Sequence, residues 1–148
     1  AVPTIKQKGI PMEFENPIDI ALQFVEHINR QDLDGLVELM SEGHTFIDLA
    51  GDVHRGRETM QEGWAQYFSM CPQYMIHVSE VYLSDLDVIL VGRTTGSHVQ
   101  QPRHIEIQDT VIWVASIENN QVAEWKLYYD NDQNRAALGA NPRTKITR

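Results

Sequence analysis

Apolar residues recur with a helical period over the first half of the chain and with the two-residue period of strands over the second. Ile18, Leu22, Val25 and Ile28 lie three or four apart, which predicts a helix starting at Asn16-Pro17. Asn16 suits its cap and Pro17 its first turn. Beyond Asn29-Arg30-Gln31, Asp32 heads a second short helix that buries Leu33, Leu36, Val37 and Met40 and is closed by Gly43. Residues 44–50 read as a short strand, with Gly51-Asp52 and Gly56 as turn signals. A third helix is predicted over residues 57–70, with Met60, Trp64, Tyr67 and Phe68 on one side and Cys71-Pro72 as its stop. Segments 74–83, 87–98, 104–117 and 121–130 are rich in β-branched and aromatic residues. Ser84-Asp85, Gln101-Pro102 and Asn119-Asn120 separate them as hairpin-type turns. Three helices on one face of a curved antiparallel sheet make an α+β domain over residues 16–131. Residues 1–15 form an irregular arm with Pro3, Gly9 and Pro11, and residues 132–148 a tail with one helical turn near Arg135.

Composition narrows the partners. The 148 residues carry a net charge of −9, which argues against nucleic acid and anionic membranes, because both reward clustered Lys and Arg. Arg143, Lys145 and Arg148 are the only basic cluster and read as a solvated tail. The single cysteine, Cys71, excludes an intrachain disulfide and reads as a small half-buried hydrophobe. No apolar run is long enough to span a bilayer and no secretory signal is visible, so a cytoplasmic setting is expected.

Alternation along the strands selects candidate chemistry. Asp48 is an acid in an otherwise apolar strand, and such a group is paired, protonated or used. In 121–130 the apolar set Trp125, Leu127 and Tyr129 is expected to face inward. Asp109 shares a face with Ile107, Val111 and Trp113, and Arg93 shares one with Ile89 and Val91. Asp48, Asp109 and Arg93 would then meet in a pocket walled by Trp64, Trp113, Trp125 and Tyr129. A carboxylate there would be raised by desolvation toward the range of a general base, and the arginine would hold its neighbour ionised. Equally, Arg93 and Asp109 would serve as a buried cross-strand ion pair fixing register, and Asp48 as a cap for a nearby turn. His54 and His98 fall where the pocket mouth would lie and are candidate acid–base partners. The six histidines show no ligand spacing, so no metal and no cofactor is expected.

The order of these segments resembles a known family. The stretch from Asn29-Arg30-Gln31-Asp32 to Met40, then Phe46-Ile47-Asp48, Arg55-Gly56-Arg57-Glu58 and the closing hairpin Asn119 to Asp130 is similar to the nuclear transport factor 2-like superfamily, nearest its SnoaL-like and ketosteroid-isomerase-like branch. The resemblance covers roughly residues 17–131 and implies a cone-shaped fold around a hydrophobic pocket. It places Asp48 at the general base of ketosteroid-isomerase-like enzymes. It places Phe24 where those enzymes hold an oxyanion-hole tyrosine, and apolar Val111 or Trp113 where they hold a second acid. Leu127 replaces the catalytic aspartate of SnoaL-like cyclases, and Thr95 and Ser97 replace the Arg and Asp of similar epoxide hydrolases. Phe24 and Phe68 would join the pocket wall. The fold hosts several chemistries. The expectation is therefore a small cofactor-independent isomerase, cyclase or other lyase acting on a hydrophobic carbonyl-bearing molecule. The alternative is a non-catalytic small-ligand-binding or protein-interaction module. The family implies a homodimer through the outer sheet face, where His104, Glu106, Gln108, Thr110, Ile112 and Val114 are expected to point.

Overall fold

The computed structural model describes residues 15–147, so the N-terminal arm and Arg148 of the basic cluster lie outside the described residues. Helix α1 spans Pro17–Arg30, α2 Leu33–Glu38 and α3 Arg57–Met70. Strand β1 spans Met40–Ile47, β2 Val53–Arg55, β3 Met75–Ser84, β4 Asp87–Thr95, β5 Val111–Glu118 and β6 Gln121–Tyr129. Two further helices, α4 Arg103–Glu106 and α5 Asp132–Leu138, lie before β5 and after β6. The strands form one curved sheet in the order β2-β1-β6-β5-β4-β3. It is mixed rather than antiparallel, because β1 runs parallel to β6.

The caps fall where the residue types place them. Asn16 accepts the amide of Ile18 at 2.9 Å and Asp32 accepts that of Gly35 at 3.1 Å, each satisfying a donor that a helix start leaves free. The second helix is shorter than its apolar spacing suggests. The Val122 amide donates to the Leu39 carbonyl at 2.7 Å and draws Met40 into pairing with β6. Met40 stays fully buried, but in a strand, and Gly43 sits within β1 rather than closing a helix. The strand expected over 104–117 begins only at Val111. Behind Pro102 the amides of Ile105 and Glu106 bond back to its carbonyl at 2.9 and 3.0 Å and wind α4. Likewise β4 stops at Thr95 because Gly96 takes φ +71° in close approach to the Gln73 carbonyl, which a side chain would obstruct.

Two apolar layers result. The inner one packs α1 and α3 on the sheet through Phe24, Ile28, Trp64, Phe68, Trp113 and Trp125. Each such side chain adds roughly 1.5–3 kcal/mol on burial. The outer one, Tyr82, Ile89, Val91, Ile112 and Val114, is covered by Leu138 and Ala140. Ile112 and Val114, expected as the centre of a dimer face, are thus buried in a cluster that Tyr128 and the tail residues Leu138 and Ala140 pack against. His104 and Glu106 belong to α4 and not to that face. Arg135 holds α5 in place, with Nε and Nη2 on Asp130 at 2.7 and 3.0 Å and Nη1 on Glu80 at 3.1 Å. The tail then borders β3: Leu83 donates to Thr144 at 3.0 Å and Ile146 to Val81 at 2.8 Å, which satisfies part of an edge strand.

Candidate functional site

Strand β1 alternates, so His44 and Phe46 share the inner face, and Asp48 follows in the same phase just past the strand end. The Phe46 ring lies 5.6 Å from that of His54 and 6.4 Å from that of Trp64. The β1–β2 connection is tight, with the Gly51 amide donating to the Asp48 carbonyl at 2.9 Å. Asp48 Oδ1 accepts the amides of Ala50 and Asp52, both at 3.0 Å, and Oδ2 meets His54 Nε2 at 3.3 Å. Partial burial pushes the Asp48 carboxyl up, but the hydrogen bonds from Asp52, His54 and Ala50 outweigh it and hold the group below the usual carboxylate range. Asp48 is therefore an ionised turn cap that orients His54, not a desolvated carboxyl. Both side chains reach solvent, Asp48 at 31% and His54 at 43% exposure.

Deeper in the cone the polar atoms are few. His44 is fully buried, its ring 5.8 Å from that of Phe24, which in turn lies 4.8 Å from Trp125. Its Nδ1–H donates to the Val122 carbonyl at 2.6 Å, leaving Nε2 as an acceptor. Burial lowers the His44 pKa, against the raising effect of that bond, so the ring is neutral. His44 Nε2, Trp64 Nε1 and Trp113 Nε1 are buried and meet no hydrogen-bond partner among the described residues. Trp64 is packed by Phe46, Phe68, Tyr67 and Tyr74 with ring separations of 5.5–6.4 Å.

A second polar group closes the same end of the sheet. Tyr67 Oη lies 2.8 Å from His98 Nδ1 and accepts the His98 amide at 3.2 Å. Burial pushes the Tyr67 hydroxyl up to about 12, against the hydrogen bond from His98. Glu106 is 4% exposed; it accepts Thr94 Oγ1 at 2.6 Å and the Ser97 amide at 3.4 Å. Burial pushes it up, and the bonds from Ser97, Thr94 and Gly96 more than offset that, so it is held ionised below its usual range.

The expected constellation of Asp48, Asp109 and Arg93 does not form. Asp109 is exposed in the turn between α4 and β5, because the strand meant to carry it inward starts two residues later. Arg93 shares the outer face with Ile89 and Val91, stands opposite His77, and lies close enough to Asp130 to favour its charge. The two are therefore not a cross-strand pair. Phe24, Trp64, Phe68, Trp113 and Trp125, expected to line a pocket, are buried in the inner core, and Leu127 is half-buried against them. Tyr129 is 64% exposed at the end of β6, beyond the cover of the helices, and is not part of the wall. His44, Tyr67 and Glu106 are the residues that strand alternation left out. The phase His44-Phe46-Asp48 was the usable signal for the first. The broken strand before Val111 hid the third.

Two recesses lie elsewhere on the surface. An open groove of about 470 Å³ on the outer face is lined by Ser41, Gly43, Thr45, Ser116, Glu118, Ala123 and Glu124. One of about 360 Å³ lies at the start of α3, lined by Glu42, Gly56, Arg57, Glu58 and Thr59. Among the described residues no group of three or more His, Cys, Asp or Glu side chains is placed to hold a metal, and no helix is long and apolar enough to cross a membrane.

Comparison with other proteins agrees with this architecture. The model of the SnoaL-like domain matches residues 21–125. A cystatin-fold protein from Novosphingobium aromaticivorans superposes with a TM-score of 0.66 at 20% identity, covering 77% of this chain and 98% of that one. A provisionally assigned polyketide cyclase from Sinorhizobium meliloti gives 0.63 at 16% identity, covering 76% and 99%. A provisionally assigned ketosteroid isomerase from Kribbella flavida gives 0.62 at 10% identity, covering 78% of each. No curated protein sequence matches the chain.

Proposed function

The chain belongs to the SnoaL-like domain family, and from that premise we propose that it moves a proton on a small hydrophobic, carbonyl-bearing molecule without a cofactor. The observation that carries this reading is the Asp48–His54 pair at the rim of an aromatic wall. Asp48, held ionised by two backbone amides, accepts the Nε2–H of His54. That leaves His54 Nδ1 with its lone pair, on a ring tilted beside Phe46. A carboxylate that fixes the tautomer and orients the ring is an arrangement in which histidine can act as a base. His54 Nδ1 takes a proton from the carbon beside the carbonyl, Asp48 stabilises the charged ring, and the proton passes to another carbon in isomerisation, to the departing oxygen in elimination, or to the alkoxide formed when the enolate carbon attacks a second carbonyl in ring closure. Arg93 has no part in this, since it faces outward. The kinship with folds assigned as polyketide cyclase and ketosteroid isomerase supports the substrate class.

The test uses 2-tetralone, a flat apolar ketone, in deuterated buffer, with exchange at its α-carbon followed by NMR. The protein is expected to accelerate exchange over buffer, and His54→Ala to remove about 10²–10⁴-fold of that rate. Asp48→Asn is expected to produce a smaller loss. Exchange no faster than buffer, with the ketone bound, would make the protein a binding module. Equal rates in the wild type and His54→Ala would remove His54 from the chemistry.

A further inference from the structure

The groove over β1, β6 and β5 has a floor that the described residues leave bare. A Cβ built on Gly43 would meet nothing within 4 Å. Gly43 lies where β1 slips register against β6, between Met40 and Thr45. Such a slip requires glycine only where φ is positive, and that of Gly43 is not. A glycine without that demand suits the close approach of another segment. Glu118, exposed, and Glu124, half-buried, edge the same groove. Neither makes an ion pair among the described residues. Lys126, next on that face of β6, lies over the Tyr128 ring at 4.8 Å. Arg55, beyond Thr45 in the row of Glu124, pairs with neither acid.

The chain delivers a matching segment to this place. The Glu15 amide donates to Asn120 Oδ1 at 2.9 Å, in the β5–β6 turn two residues from Glu118. Residues 1–14 precede it and carry Lys6 and Lys8 against one acid, Glu13, in a chain of net charge −9. Lys6, Lys8, Ile10, Met12 and Phe14 alternate, so in an extended course they share one side and Glu13 takes the other. Lys8 has a reach from Glu15 of up to roughly 23 Å, and Glu124 lies about 13 Å along β6 from the turn. The other basic stretch is already placed: Thr144 accepts the Leu83 amide and Lys145 bridges to Tyr82, on β3 at the opposite edge of the sheet. We propose that residues 1–14 dock in this groove on their own chain, with Lys6 and Lys8 against Glu118 and Glu124 and the apolar side chains over Gly43 and Ala123. The two ends of the chain then share the outer face, Leu138 and Ala140 packing on its apolar half and the N-terminal segment covering its polar half. The hold rests on charges in contact with water, so it weakens as salt is raised. It is separate from the rim pair of Asp48 and His54.

The experiment places a nitroxide on the full-length protein through Gln7→Cys, between the two lysines. Cys71 is 5% exposed, which leaves the new thiol as the one that reacts. At low salt the amide signals of Gly43, Thr45 and Ala123 are expected to lose most of their intensity to the spin label. Those of Met75 and Thr95, at the far ends of β3 and β4, are expected to keep theirs. Glu118→Lys together with Glu124→Lys is expected to restore the groove signals. Adding Lys6→Glu and Lys8→Glu to that pair is expected to bring the loss back, which a folding defect does not do. In a mixture of spin-labelled chains with ¹⁵N chains that carry no label, the ¹⁵N signals are expected to stay whole. Full-intensity groove signals in the labelled wild-type background at low salt would overturn the proposal. Loss of the ¹⁵N signals in the mixture would overturn it too, by giving the groove to a second copy's segment.

Discussion

Asp48 and His44 share one strand phase and have opposite environments. Asp48 lies past the end of β1 and gives its oxygens to Ala50, Asp52 and His54. His44, four residues earlier, is enclosed by Phe24 and tied to Val122. The carboxylate is the more conspicuous of the two along the chain, since an acid in an apolar run attracts a catalytic reading. Its lowered pKa assigns it another task and gives a pH signature. A carboxyl whose folded pKa is depressed stabilises the fold above its unfolded value, near 3.9, and that stabilisation fades as pH falls through the folded value. Asp48→Ala is therefore expected to cost about 1 kcal/mol at pH 7, where two amides lose their acceptor. Urea unfolding should show the cost shrinking as pH falls below the ordinary carboxyl value of about 3.9 and through the lower folded value. A cost that stays constant down to pH 2 would mean that packing, not the charge, sets the role of Asp48.

Elements with a strong period were legible in the chain, and those set by long-range partners were not. Helices α1 and α3 fall where the spacing of Ile18, Leu22, Val25 and Ile28 and of Met60, Trp64, Tyr67 and Phe68 places them, because an apolar face of 14 residues specifies itself. The first residues of β1 depend on pairing with Val122, far along the chain, and β2 is only three residues held by β1. Helix α4 depends on four residues behind Pro102 and on Glu106 reaching Thr94, which no local pattern encodes. That one error displaced Asp109 and with it the expected constellation. Helix α5 shows the same dependence on partners: its short, exposed body is held by Arg135 on Asp130 and Glu80. Charge-assisted, partly buried bonds of this kind hold more than a surface pair does. Arg135→Ala is expected to destabilise the protein by ~1–3 kcal/mol. It should also raise amide exchange at Leu83 and Ile146, which bond across the tail, while leaving Leu90 and Ala115 at the sheet centre protected. Unchanged exchange at Leu83 and Ile146 would show that the tail is held without its arginine.

At the scale of the molecule the outer sheet face divides into two halves of different character. Over β3, β4 and β5 the apolar residues Tyr82, Ile89, Val91, Ile112 and Val114 already lie under Leu138 and Ala140. Over β1, β6 and β5 the surface is an open groove of small and polar residues edged by Glu118 and Glu124. A stable interface needs about 800 Å² per partner around a desolvated, largely apolar centre. The half that has such a centre is occupied by the chain's own tail, and the half left open is polar and acidic. With a net charge of −9 on each chain, two copies meeting there also repel. The expected state is a single chain, and sedimentation equilibrium at micromolar concentration should return the mass of one copy, 17.0 kDa. Raising the salt concentration screens the repulsion but supplies no apolar centre, so the mass should not change between low and high salt. Arg135→Ala loosens the cover over the apolar cluster and is expected to raise the mass above that of the wild type. A wild-type mass of twice the chain would place a partner on the open groove, and Thr45→Lys at its floor should then return the mass to that of one copy.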